Sequence, residues 1–294
     1  MDLPTLWFAA VAVLWTGFLL LEGFDFGVAA LLPVLARRPA EKHLMLRTIG
    51  PVWDGNEVWL ITAVGAVFAA FPVWYATWLP ALYLPFVGVL LGLIVRAVAF
   101  EWRHSHPDPR WDAAWTRVIT GGSLVAAAGI GAALATTTLG LPIDADGVRV
   151  GGALSGVGWT ALLGAAAVVG FSLVHGAVFL ALKTDGDVRL RARAFAARWA
   201  PVAGLPLLTW AGLVHLRGGT AVTAVLWLVA ALAVPVTWAQ VRRDREGAAF
   251  AGWAALLLAS AATAFGAAFP VVVPSTLGPA FDLTVAQATV SDYT

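Results

Sequence analysis

The chain has 294 residues, of which 60% are hydrophobic and 12% are charged, and its mean hydropathy is +0.84. Soluble domains average about 25% charged residues, so this composition predicts an integral membrane protein. The net charge of +1 leaves no basic surface for a nucleic acid partner. The sequence contains no cysteine, which excludes disulfides, thiolate metal sites and covalently attached haem of the c type.

Uncharged stretches of roughly 20 residues predict eight membrane-spanning helices. The first, residues 6–35, follows Asp2 and contains two acids, so we expect it to stay in the mature protein rather than act as a signal peptide. The uncharged run 58–95 is long enough for two spans, with a break at Pro72 or Pro80. The remaining spans are predicted at 118–143, 149–183, 199–216, 219–241 and 247–270.

The distribution of basic residues predicts the orientation of these helices. With the N-terminus outside the cytoplasm, the inside loops are 36–52, 101–117, 183–198 and 242–246, and they hold 15 of the 18 Lys and Arg residues. Cytoplasmic loops carry an excess of Lys and Arg, so we expect an extracytoplasmic N-terminus.

All connections between the predicted spans are short, and no soluble domain is evident. We therefore expect one transmembrane domain that covers residues 1–294. Helices 1–4 are predicted at about 6–140, helices 5–8 at about 153–270, and an extracytoplasmic tail at 271–294.

Four carboxylates lie in otherwise apolar sequence. Glu22 and Asp25 are three residues apart, as are Asp54 and Glu57, so each pair would share one face of a helix. Glu22 and Asp25 precede Arg37 by about 22 and 18 Å along a helix, which is too far for either carboxylate to reach the membrane surface. Acids in such positions usually face a bundle interior, a water-filled cavity or a partner.

These acids have a functional and a structural interpretation. The functional one is a graded proton relay, with Asp54 and Glu57 at the cytoplasmic mouth and Glu22 and Asp25 deeper. The structural one is that neighbouring helices merely satisfy Glu22 and Asp25, while Asp54 follows Pro51 at a helix N-terminus and complements the helix dipole.

Three further ionisable side chains lie within predicted spans. Arg96 either extends to the membrane surface or pairs with a buried acid or a haem propionate. His175 lies deep in one span and His215 lies near the end of another, so a bis-histidine haem and a hydrogen-bonded core histidine both remain open. The sequence contains no motif for a hydrolytic centre or a dinucleotide site, and we predict neither a catalytic residue nor a metal site.

Several blocks of the sequence resemble a known family. Residues 21–28 (LEGFDFGV) and 49–62 (IGPVWDGNEVWLIT) closely resemble subunit II of the cytochrome bd-type quinol oxidases. Residues 94–103 (IVRAVAFEWR), 176–184 (GAVFLALKT) and 269–276 (FPVVVPST) continue the resemblance, which is colinear over nearly the whole chain.

The resemblance implies an all-α integral membrane protein with two four-helix bundles and one further helix. This sequence stops at Thr294, so we expect the family's ninth helix to be missing at the C-terminus. The expected function is that of a non-haem subunit in an electrogenic, non-pumping oxidase of the bacterial plasma membrane. That oxidase couples quinol oxidation to the reduction of O₂ to water.

The resemblance also implies cofactors and partners. Haem b and haem d belong to subunit I, which this subunit would stabilise; a quinone is the one candidate ligand for this chain. Further expected partners are membrane quinol, lipid and a small single-helix subunit.

Site residues follow from the resemblance as well. A Trp-Asp pair, here Trp53 and Asp54, is implicated in that family in proton delivery or in quinone contacts. The proton-pathway candidates are Asp54, Glu57, Glu22 and Asp25, and the candidates near a quinone or the partner's haem are Trp53, Asn56 and Arg96. A stand-alone proton-coupled transporter and a purely structural subunit remain as alternatives.

Overall fold

A computed structural model describes residues 2–103 and 105–289. Within these residues the chain is almost entirely helical, because its long uncharged stretches can satisfy their backbone hydrogen bonds in a membrane only as helices. The long helices are α1 (Leu3–Leu35), α2 (Pro39–Ile49), α3 (Trp53–Ala70), α4 (Pro72–Ala81), α5 (Tyr83–Trp102), α6 (Pro109–Leu139), α7 (Trp159–Lys183), α8 (Gly186–Ala203), α9 (Leu205–Gly218), α10 (Ala221–Arg242) and α11 (Glu246–Ala268).

Polar residues define where several of these helices begin. The Asp2 carboxylate accepts a hydrogen bond from the Thr5 N–H at the start of α1, and Asp108 accepts one from the Arg110 N–H at the start of α6. Such side chains satisfy N–H groups that have no partner in the first turn of a helix.

The helix α1 occupies the centre of the fold and packs against α3, α6, α7 and α11. Its contact with α7 is very close, since a Cβ atom on Gly176 would lie 2.5 Å from the backbone carbon of Gly27. Small residues at such a crossing allow two backbones to approach. This position fixes which helices surround the acids of α1.

Within the described residues, seven helical segments are long and apolar enough to cross a membrane, with α8 and α9 forming one segment, Gly186–Gly218. The chain is therefore a multi-pass membrane protein. The second predicted span corresponds to α3, which is not among these seven segments; it has 18 residues and begins with polar side chains. The predicted break lies at both prolines, because the short helix α4 starts at Pro72 and ends one residue after Pro80.

The structure corrects two of the predicted loops. Residues 36–52 contain α2, and residues 183–198 are largely the first part of α8. Both helices are rich in charged residues, so a search for uncharged stretches assigns them to loops.

The arrangement into two bundles stays a prediction. The helix α1 packs on α3 and α6, α5 packs on α6, and α7 to α11 contact one another in sequence order, but α7 also packs extensively on α1 and α6. The expectation of a missing ninth helix concerns the end of the chain, and residues 290–294 lie outside the described part.

The four basic segments meet at one end of the molecule, which we call the basic end (residues 36–52, 101–117, 183–198 and 242–246). Ion pairs join them across helices: Arg191 to Glu41, Lys42 to Asp112, and Arg189 to Glu246. Their shared location agrees with the prediction that these four basic segments all lie on the same side of the membrane.

The described part of the predicted C-terminal tail, residues 271–289, lies at the opposite end of the molecule. Strands β1 (Val271–Val273) and β2 (Leu283–Thr284) pair antiparallel, and a short helix α12 (Val285–Ala288) follows. Ser275 joins the tail to the connection between α6 and α7, because its hydroxyl donates to the Ile143 carbonyl at 2.6 Å.

Candidate functional site: a buried carboxylate–arginine cluster

Glu22 and Asp25 lie in the second half of α1, one helical turn apart. Neither side chain has any exposed surface. An ionised carboxylate without partners is very unfavourable in an apolar interior, so the environment of both acids depends on groups from neighbouring helices.

Arg96 of α5 bridges α1 and α3. Its Nη1 lies 2.5 Å from Glu22 Oε1 and donates a hydrogen bond of 2.5 Å to Glu57 Oε1. The Arg96 side chain is fully buried, whereas 20% of the Glu57 side chain is exposed. The interpretation that Arg96 extends to the membrane surface is therefore wrong, because two carboxylates hold its guanidinium inside the bundle.

Aromatic rings enclose the Arg96 guanidinium. Its Cζ lies 5.0 Å from the ring centre of Phe26, 5.3 Å from that of Phe100 and 5.9 Å from that of Trp53. Trp53 and Phe100 stack with their ring centres 4.9 Å apart. Cation–π contacts of this kind stabilise a cation that has lost its water shell.

Asn56 connects Asp25 to the same cluster. Its Nδ2 donates to Asp25 Oδ2 at 2.7 Å and to the Leu21 carbonyl at 3.3 Å, which ties α3 to α1. We call this group the acid–arginine cluster, and its members are Glu22, Asp25, Asn56, Glu57 and Arg96.

Asp54 lies outside the acid–arginine cluster. It occupies the first turn of α3, is exposed, and does not cap the helix, since the N-cap residue is Val52. The predicted grouping of four acids is thus divided: Glu57 turns inward to Arg96 and Asp54 faces outward. The role that the family resemblance assigns to Asp54 stays a prediction.

The cluster has more acid than base. Three carboxyl groups share one guanidinium, and Arg96 Nε and Nη2 have no hydrogen-bond partner in the described part of the chain. Neither Glu22 Oε2 nor Asp25 Oδ1 receives a hydrogen bond there. Carboxyl groups in such surroundings can take up and release protons, or bind water that does so.

The two histidines have separate environments. The Nε2 of the fully buried His175 lies 3.2 Å from the Leu20 carbonyl, and its ring stacks on Phe250. His215 Nδ1 lies 2.9 Å from the Thr223 hydroxyl. No group of three or more His, Cys, Asp and Glu side chains in the described residues is arranged to hold a metal ion.

Sequence reasoning found all five members of the cluster but not the contacts between them. Asn56 was assigned to the neighbourhood of a quinone or haem, whereas the structure places its amide on Asp25. Among these residues, Arg96 gives the clearest sequence signal for a buried ion pair, because it is a basic residue at the end of the long uncharged run 58–95.

The fold and the site define a multi-pass helical membrane protein with a buried cluster of carboxyl groups around one arginine. A family model described as cytochrome bd terminal oxidase subunit II matches residues 3–294. The chain belongs to that family and is thus a subunit of a terminal oxidase complex.

Individual relatives agree with this assignment. The chain is 38% identical to the cytochrome bd ubiquinol oxidase subunit 2 of Bacillus subtilis, over 99% of this chain and 88% of the relative. It is 32% identical to the cytochrome bd-I ubiquinol oxidase subunit 2 of Escherichia coli K12, over 98% of this chain and 86% of the relative.

The fold is similar to a chain in the bd oxidase structure from Geobacillus thermodenitrificans, with a TM-score of 0.75 and 20% sequence identity. That match covers 99% of this chain and 90% of the other. None of these similarities supports the alternative of a stand-alone transporter.

Proposed function

We propose that the chain is the haem-free subunit of a quinol:O₂ oxidoreductase and that it supplies a proton path to the haem-bearing subunit I. The acid–arginine cluster is the observation that carries this proposal. A structural ion pair needs one carboxylate for each cation. Here Arg96 contacts Glu22 and Glu57, and Asp25 has only the neutral amide of Asn56 as its hydrogen-bond donor, so the cluster has carboxyl groups beyond what one cation neutralises.

The path begins at the exposed Asp54 and passes to Glu57, which is partly exposed three residues further along α3. Arg96 contacts both Glu57 and Glu22, so its guanidinium holds these two carboxyl groups close enough for a bound water to carry a proton between them while Arg96 itself stays protonated. Glu22 and Asp25 share a face of α1, which continues the path into the interior. Asn56 holds Asp25 in place through its amide.

The direction of proton transfer along this path follows from the side of the membrane on which the basic end lies. Cytoplasmic segments of membrane proteins are enriched in Lys and Arg, so the basic end lies in the cytoplasm and the N-terminus lies outside. Asp54 and Glu57 begin α3 at that end. Protons therefore enter from the cytoplasm.

An exposed face of α3 is the evidence for where subunit I binds in this proposal. Val58 and Ile61 are 53% and 73% exposed, and they continue the exposed face that begins at Asp54. An acid is very unfavourable against lipid chains. We therefore infer that subunit I covers this face, where it would receive protons and be stabilised by the contact.

The relatives named ubiquinol oxidase subunits suggest the overall reaction. Membrane quinol donates electrons, haem b and haem d in subunit I carry them, and O₂ is reduced to water. Protons for water formation come from the cytoplasm while quinol protons leave outside, which produces a membrane potential without a pump. A quinone ligand on this chain and a small third subunit remain expectations from the family.

The test uses the purified oxidase complex with Glu57→Gln or Asp54→Asn in this chain. We expect an unchanged reduced-minus-oxidised haem spectrum but a quinol oxidase rate lowered by about 10²-fold, the scale typical of a lost proton-transfer group. Proton uptake from the inside of proteoliposomes should fall in parallel.

Asp187→Asn is the matched control, because this exposed acid also lies at the basic end but outside the acid–arginine cluster. A Glu57→Gln complex with full haem content and the wild-type rate of proton uptake would contradict the proton path and favour a purely structural subunit.

A further inference from the structure

A pocket at the basic end is used by neither the proton path nor the contact with subunit I. It lies between α2, the beginning of α3 and the end of α5, and its volume is about 220 Å³. Four ionisable side chains line it: His43, Arg47, Glu101 and Arg103. Trp53 and Phe100 form its inner wall.

The pocket has a small excess of positive charge. Arg103 is 4% exposed, and its Nε lies 3.7 Å from Asp112 Oδ1. Asp112 also forms an ion pair with Lys42, whose Nζ lies 2.7 Å from Asp112 Oδ2. Among the Lys, Arg, Asp and Glu side chains that line the pocket, Arg47 and Arg103 exceed Glu101 by one charge, which is complementary to a single phosphodiester.

The surroundings of the pocket suit a lipid better than a free ion. Val98 and Trp102, on the last turns of α5, are 40% and 58% exposed and give an apolar surface beside it. Trp side chains commonly lie at the level of lipid headgroups. Basic pockets between helices at the cytoplasmic side commonly bind anionic lipid headgroups.

We propose that this pocket binds the phosphodiester headgroup of an anionic phospholipid, with Arg47 and Arg103 facing the phosphate and the acyl chains lying along α5. The bound lipid would pack against Trp53 and Phe100, whose ring centres lie 5.9 and 5.3 Å from Arg96 Cζ. Binding at this pocket does not depend on the proton path.

The test is native mass spectrometry of the delipidated oxidase complex, titrated with phosphatidylglycerol and with phosphatidylcholine of identical chains. Removing one cation near an anionic headgroup should weaken binding about fivefold. We expect that loss for phosphatidylglycerol in Arg47→Gln, near wild-type binding in Arg47→Lys, and tighter binding in Glu101→Gln. Arg47 is exposed, so these variants should keep the wild-type haem spectrum.

Arg243→Gln is the control, since it removes an exposed basic side chain from the same end at a distant loop. Equal phosphatidylglycerol affinities for Arg47→Gln and Arg243→Gln would overturn the proposal. Inorganic phosphate is titrated separately: if it binds with the same dependence on Arg47 while phosphatidylglycerol has no advantage over phosphatidylcholine, the pocket takes a free anion and not a lipid.

Discussion

Carboxylates and arginines meet in two regions of this protein, and their charges are balanced in opposite ways. At the basic end, Glu41 accepts a hydrogen bond of 2.8 Å from the Arg37 N–H and lies 2.7 Å from both Arg38 and Arg191. In the acid–arginine cluster, three carboxyl groups share Arg96 alone. At the basic end, Glu41 has more hydrogen-bond donors than one carboxylate needs, and these contacts join helices. The acid–arginine cluster has more carboxyl groups than cations and lies in the buried interior.

This difference indicates what each region contributes. A carboxylate surrounded by donors near water is a stable link between helices, and its protonation would only weaken that link. Buried acids in excess of their cation are unfavourable for folding. The proposed proton path would explain why such acids lie in the centre of the fold.

The largest effect is expected from Arg96→Gln. It leaves Glu22 and Glu57 buried without a cation, which should lower the free energy of unfolding by about 3–5 kcal/mol. Thermal unfolding of the purified complex measures the loss. The double variant Glu22→Gln with Arg96→Gln should be less destabilised than Arg96→Gln alone; a strictly additive result would show that the two side chains do not interact.

A smaller loss is expected from Asn56→Leu. The change removes the amide that donates to Asp25 Oδ2, so a buried carboxylate loses its donor at a cost of about 1–3 kcal/mol. The same unfolding measurement applies. Thr62→Val is the comparison, because the Thr62 hydroxyl is exposed and only donates to the Val58 carbonyl of its own helix. Equal stability of both variants would argue against the Asn56–Asp25 contact.

The stability of the fold should depend on pH through Glu41 at the basic end. The Arg37 backbone N–H, followed by the Arg38 side chain, lowers the pKa of Glu41 from 4.5 to about 2. A carboxyl whose pKa is lower in the folded state stabilises the fold above its unfolded pKa and loses that contribution on acidification. The difference in Tm between wild type and Glu41→Gln should therefore be constant near neutral pH and shrink between pH 4.5 and 2.

The matched variant for that titration is Asp187→Asn, whose carboxylate is exposed and contacts only Arg38 at 3.5 Å. Its difference from wild type should change little over the same range. A Glu41→Gln difference that stays constant down to pH 3 would mean that the Glu41 contacts do not stabilise the charged form.

The smallest effect is expected from Asp185→Asn. The Asp185 side chain is 97% exposed and lies 3.5 Å from Arg189, and such exposed pairs contribute about 0–1 kcal/mol. We expect a Tm within about 1 °C of wild type. A large loss of stability in Asp185→Asn would contradict the expectation that exposed ion pairs at this end contribute less than enclosed ones.

The sequence by itself determined the class of this protein. Its long uncharged stretches specify membrane helices, its basic segments specify which helix ends lie together, and the acids within apolar sequence mark the site. These features depend on residues that are close in the chain and on the cost of placing charge in lipid.

Only the tertiary structure decided which partners the acids have. Arg96 contacts Glu22 and Glu57, which lie 74 and 39 residues before it, and Asn56 binds Asp25 across 31 residues. Asp54 and Glu57 both carry carboxyl groups and lie one turn apart, yet Asp54 is exposed and Glu57 contacts Arg96. Because these helices are apolar on nearly every face, their sequence periodicity does not specify which faces meet, and close packing around α1 makes that choice.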